Sequence, residues 1–105
     1  MFFSRQNKAD KINKQLIARL DGRMVKYVTK RDTETSEETV IGHLGRINTK
    51  NGYITIVCDG TEVFRCLSSD AKCGELLSLD GVVIQTKDEN SQHDTMIVSY
   101  YKYHR

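Results

Sequence analysis

The chain has 105 residues, 38% hydrophobic and 29% charged, with seven Gly, no Pro, no Trp and a net charge of +2. That length supports one modest core. No stretch approaches the roughly 18 consecutive apolar residues of a membrane span, and the start Met1-Phe2-Phe3-Ser4-Arg5 is too short for a signal-peptide centre, so no membrane association is expected. Three cysteines, Cys58, Cys66 and Cys73, are an odd number, which argues against a closed disulfide framework and for a reducing cytoplasm.

The charge is unevenly spread. Residues 1–31 carry nine Lys/Arg against Asp10 and Asp21, a balance of +7, while the remaining 74 carry seven bases against twelve acids, a balance of −5. A basic segment beside an acidic body attracts phosphate, an acidic protein surface or the body itself.

Residues 8–20 predict a helix. Ala9, Ile12, Leu16, Ile17 and Leu20 form one stripe, and Lys8, Lys11, Lys14 and Arg19 fill the rest of the circumference. Asn7 is suited to cap the first turn, with Asp10 three residues on, and Leu20-Asp21-Gly22 supplies a stop. The lysine face reads either as a solvated surface or as a grip on phosphate. After Gly22 the period changes to two, giving a strand from Met24 to Lys30, followed by the acidic loop Arg31 to Glu38.

Val40 to Thr49, Tyr53 to Cys58 and Thr61 to Leu67 are strand-like. Asn51-Gly52 and Asp59-Gly60 between them favour two-residue hairpin turns, because both central residues need positive φ. Gly42 and Gly45 would let one long strand bend. Ser68 to Leu79 is mixed, with room for a short helix or turn. Val82 to Thr86 and Thr95 to Tyr103 are strands across the polar loop Lys87 to Asp94. The chain therefore divides into a basic helix, residues 1–23, and an antiparallel β body, residues 24–105. Short strands joined by Gly-containing turns point to a small barrel or sandwich.

Tight turns at both dipeptides fix a register. Lys50 then faces Tyr53, Asn48 faces Thr55 and Arg46 faces Val57; on the other side Val57 faces Glu62, Thr55 faces Phe64 and Tyr53 faces Cys66. One face collects Ile41, Gly45, Ile47, Ile54, Ile56, Cys58 and Val63, a core. The other collects Leu44, Arg46, Asn48, Lys50, Tyr53, Thr55, Val57, Glu62, Phe64 and Cys66. Cations, amides and rings interleaved on a sheet face suit single-stranded nucleic acid, with rings stacking bases and cations holding phosphates. The same composition also describes an ordinary half-exposed face.

Residues from about 40 to 103 resemble a cold-shock domain, a five-stranded barrel of the oligonucleotide/oligosaccharide-binding (OB) class. Gly42-His43-Leu44-Gly45-Arg46-Ile47-Asn48 sits where the family has G-x-V-K-W-F-N. Asn51-Gly52-Tyr53-Ile54-Thr55-Ile56 sits where it has K-G-F-G-F-I, and Val63-Phe64-Arg65-Cys66-Leu67-Ser68 after Asp59-Gly60 resembles V-F-V-H-F-S. The resemblance implies a small antiparallel OB-like barrel of five or six strands behind one N-terminal helix, binding single-stranded RNA or DNA without catalysis. Tyr53 and Phe64 would stack bases, Arg46 would stack or contact phosphate, Lys50 would hold backbone, and Asn48 and Thr55 would supply polar contacts. Lys8, Lys11 and Lys14 would extend the electrostatic track. The chain departs from the family at Arg46, Ile47, Thr55, Cys66 and Leu67, which stand where it has stacking rings. The alternative is a protein-interaction module or small regulator on the same barrel, with a protein partner.

No cofactor or metal is expected. Cys58, Cys66 and Cys73 with His43 lack a C-x2–4-C pair, and the register sets Cys58 and Cys66 on opposite faces. No nucleophile motif, phosphate loop or paired carboxylate is present, so no enzyme activity is expected. The tail Tyr100-Tyr101-Lys102-Tyr103-His104-Arg105 is a secondary candidate surface.

Overall fold

A computed structural model describes the backbone of residues 2–87 and 94–102, and the side chains of residues 11–86 and 95–102. The helix α1 spans Phe2–Leu20 and is followed by seven strands: β1 (Met24–Asp32), β2 (Glu38–Asn48), β3 (Tyr53–Cys58), β4 (Thr61–Leu67), β5 (Lys72–Glu75), β6 (Gly81–Lys87) and β7 (Asp94–Tyr101). All pair antiparallel in one curled sheet, ordered β4-β3-β2-β1-β7-β6-β5, which forms a half-barrel. The chain is thus mostly β with one N-terminal helix, as its periodicity indicates. It has seven strands rather than five or six. The additional strand is β5, within the stretch that reads as mixed: Lys72-Cys73-Gly74-Glu75 has no alternation and becomes a strand by pairing with β6.

The helix begins six residues earlier than periodicity predicts, so Asn7 lies inside it rather than capping it. Nothing in Phe2 to Lys8 breaks a helix, since the segment lacks Gly and Pro. It ends where expected: Gly22 takes φ +82°, and its N–H donates to the Ile47 carbonyl at 2.7 Å. Leu16, Ile17 and Leu20 are buried against the concave side of the sheet, among Val25, Val28, Ile47, Ile54, Ile56, Val82, Ile84, Ile97 and Tyr101. Ile12 departs from the predicted stripe and is 63% exposed, so the apolar contact is confined to the last two turns among the described residues. Ala9 and Lys8 lie outside the described side chains.

Irregularities give the sheet its curl. Val25 and Val28 are both fully buried although three residues apart, which strict alternation forbids. A register shift in the β1–β7 ladder between Val25 and Tyr27, opposite Leu44 at φ +51°, reverses the side-chain parity of both strands. The inner surface therefore holds Val25, Val28, Gly42 and Gly45. Gly42 and Gly45 both back onto Cys58, so a close approach of strands requires them and Leu44 takes the positive φ.

The free edge of β5 is covered. The Asn13 carboxamide donates to the Ala71 carbonyl at 3.0 Å and accepts from the Cys73 N–H at 2.9 Å, substituting for a neighbouring strand. Arg19 and Glu75 add an ion pair at 3.5 Å. Helix and sheet thus share one core and one edge.

Candidate functional site

The Asn51-Gly52 turn has φ of +58° and +80°, and the Asp59-Gly60 turn +50° and +78°, the pattern of type I′ hairpins. The first hairpin has the predicted register: Asn48 pairs with Thr55 and Arg46 with Val57. The second starts as predicted, with Val57 opposite Glu62, then slips: Ile56 pairs with Phe64, Thr55 with Arg65, Ile54 with Cys66 and Tyr53 with Leu67. Val63 is the extra residue of a bulge. Both Val63 and Phe64 consequently pack against the core, which two adjacent apolar side chains in a regular strand cannot do.

This slip changes the outer face. Phe64 and Cys66 are half-buried on the core side, not beside Tyr53. In their place stand Arg65 and Leu67. The Arg65 guanidinium lies 5.2 Å from the Tyr53 ring centroid and pairs with Glu62, its Nη2 at 2.9 Å. Arg46 and Tyr53 are exposed, Asn48 and Thr55 half-exposed, and Lys50 stands exposed in the turn. The Thr55 hydroxyl is 3.5 Å from the Asn48 carbonyl. These five predicted residues share the convex face and its turn, whereas α1 packs on the concave side and leaves Tyr53 uncovered.

Farther along the convex face, a row of rings crosses three strands. His43 on β2 faces Tyr27 on β1 across 6.5 Å, and Tyr27 stacks on Tyr100 of β7 at 4.5 Å and 28°. Beside it, the Glu38 carboxylate accepts from the Thr29 hydroxyl at 2.6 Å and from Arg31 at 3.1 Å, which together hold its pKa below the ordinary glutamate value. Burial, and then the charge of Glu38, pushes the Tyr100 hydroxyl up. Sequence reasoning missed Tyr27, His43 and Arg65 as members of this face. Alternation places Tyr27 on the side of Val25, and no local signal marks the shift that turns it outward.

The acidic loop Asp32 to Glu38 lies at the opposite end of β2 from Lys50, about 30 Å of strand away. Asp32 turns its carboxylate inward to accept from the Glu34 and Thr35 amides. Lys11 and Lys14 are exposed on α1. Lys14 also lines an open groove of about 660 Å³ with Asn13, Ile17, Ala18, Thr49, Gly52, Leu67, Ser68 and Ser69, between the helix and the hairpin turn that carries Lys50.

The three cysteines are unbridged. Cys58 and Cys66 both lie on the core side, correcting the expectation of opposite faces. Burial, with a contribution from Asp70, pushes the Cys66 thiol up to about 11; burial, with a contribution from Cys66, pushes Cys73 up to about 12. At pH 8 such thiols are ionised to about one part in a thousand or less. Iodoacetamide should therefore label the folded protein far more slowly than the urea-unfolded chain, and equal rates would contradict this burial. Among the described residues, no group of three or more His, Cys, Asp or Glu is placed to hold a metal ion, and no helix is long and apolar enough to cross a membrane.

Comparison with protein-family models, with curated proteins and with solved structures finds no match.

Proposed function

We propose that this protein binds single-stranded RNA or DNA, without catalysis, along the convex face of its sheet. The observation that carries the reading is that Arg46, Asn48, Thr55 and Tyr53 share one uncovered face leading to Lys50, with the rings of His43, Tyr27 and Tyr100 farther along it. Tyr53 stacks a base, Arg46 and Lys50 hold phosphates, and Asn48 and Thr55 offer polar contacts to base edges. The row of three rings supplies a second stacking platform, which offsets the loss of Phe64 from this surface. The order of the Gly42–Asn48, Asn51–Ile56 and Val63–Ser68 motifs supports kinship with cold-shock domains of the OB class. Three unbridged thiols accord with a reducing, cytoplasmic setting.

Fluorescence anisotropy with labelled single-stranded 12-mers at two salt concentrations tests the proposal. Affinity should fall with salt, and Tyr53→Ala should weaken binding by about tenfold while leaving the melting temperature nearly unchanged. Phe64→Ala should do the reverse. It should cost about 2 kcal/mol of stability from its half-buried position, with the affinity of the folded fraction unaltered. No binding by the native protein at low salt, or full binding by a Tyr53→Ala/Arg46→Ala pair, would refute the convex-face assignment and leave a protein partner as the next ligand to seek.

A further inference from the structure

We infer that the groove between α1 and the β2–β3 turn is a seat for one nucleotide unit, continuing the strand past Lys50; this inference rests on the convex-face reading. The groove lies at the end of the half-barrel. Thr49 and Gly52 form one wall, the α1 residues Lys14, Ile17 and Ala18 the other, and Leu67, Ser68 and Ser69 close the end. Its volume of about 660 Å³ falls in the range of small-ligand sites.

The lining divides by chemistry. Ile17, Ala18 and Leu67 give an apolar surface of the kind a base or ribose lies against. Leu67 is 43% exposed there, a large apolar side chain left open to solvent. Lys14 and the hydroxyls of Thr49, Ser68 and Ser69 are suited to a phosphate. Asn13 is committed to Ala71 and Cys73 and serves as wall only.

Charge favours an anion. Lys14 lines the groove and is exposed, Lys50 is exposed in the turn between the wall residues Thr49 and Gly52, and Lys11 lies one turn before Lys14 on the same helix. Among the described residues, no carboxylate lines the groove. Asp21, just past the helix end, accepts from the Thr49 N–H at 2.8 Å, and Asp70 follows Ser69 just beyond the end wall. A strand lying on Tyr53 and held at Lys50 has only the two-residue turn Asn51-Gly52 to cross before it reaches the groove.

The test compares oligouridylates of four and eight nucleotides, and their oligothymidylate counterparts, on the native protein, Lys14→Glu and Ala18→Tyr. Both substitutions are at exposed positions. The 8-mer should bind the native protein about tenfold more tightly than the 4-mer, and each groove variant should lose that gain while binding the 4-mer normally. Independently of the sheet, millimolar 5′-UMP should shift the amide resonances of Ala18, Thr49, Gly52, Ser68 and Ser69. An 8-mer advantage that survives in both variants, with no shifts at those amides, overturns the groove while leaving the convex-face reading intact. Amide shifts with 5′-UMP, but no oligonucleotide binding that depends on Tyr53, would support the groove as a nucleotide site and refute the convex face. Neither oligonucleotide binding nor amide shifts would overturn both.

Discussion

Replacing Gly45 with alanine should lower the stability of the protein by about 3 kcal/mol, a fall of roughly 15 °C in melting temperature for a domain of this size. A Cβ at this position would stand 2.5 Å from the Cys58 Sγ and 2.5 Å from the Val57 carbonyl oxygen, with the Cys58 Cα at 3.2 Å. The thiol can rotate away, but the Val57 carbonyl belongs to β3 and moves only if the ladder moves. Gly42 makes a useful contrast. There the Cβ meets the Cys58 Sγ at 2.6 Å and Cβ at 2.8 Å, with the Val63 Cγ1 at 3.4 Å, all of them side-chain atoms. Adding Cys58→Ala should therefore restore more of the stability lost in Gly42→Ala than in Gly45→Ala. Urea denaturation of the four variants measures this. Equal recovery in both backgrounds would show that the Val57 carbonyl is not the obstacle.

Removing the Asn13 carboxamide should be nearly as damaging. Asn13→Ala leaves the Ala71 carbonyl and the Cys73 N–H at the β5 edge without their partner, at a cost of about 2 kcal/mol. The loss should be local first. Amide exchange at Cys73 should accelerate by about thirtyfold, more than at the β1 and β2 amides in the middle of the sheet. Asn13→Asp keeps an acceptor for the Cys73 N–H but turns a carboxylate toward the Ala71 carbonyl, so it should recover only part of the loss. A strand edge opened in this way also becomes a site for pairing with another chain, and concentration-dependent self-association of the alanine variant is expected. Unchanged exchange at Cys73 in Asn13→Ala would mean that the side chain does not hold the edge.

Both substitutions act at places where sequence reading and tertiary structure part company. Gly45 is legible as a residue needed for bending, but the need arises from the approach of the Val57 carbonyl and Cys58 on the paired strand β3, not from backbone φ. Asn13 carries no signal on the helix, since its partners lie 58 and 60 residues away. Phe64 shows the same division. Asp59-Gly60 correctly starts its hairpin, yet the face on which Phe64 lands depends on whether Val63 is accommodated in a bulge. The adjacency of two apolar residues hints at it. The burial available beneath β3 decides it.

Elements whose cause is local are legible from the residues alone. Two hairpin turns follow from Asn-Gly and Asp-Gly at positive φ, the helix end follows from Gly22, and the register of β2 on β3 follows from the turn that joins them. That register was enough to gather Arg46, Asn48, Thr55 and Tyr53 on one face. Tertiary structure alone decided the seventh strand, the outward turn of Tyr27, the inward turn of Phe64 and the seating of Lys14 across from Lys50's turn. In each of these the local preference is weak. A short strand such as β5 gains its hydrogen bonds only from β6 and Asn13, and a bulge is stable only where the apolar side chain it redirects finds a core to enter.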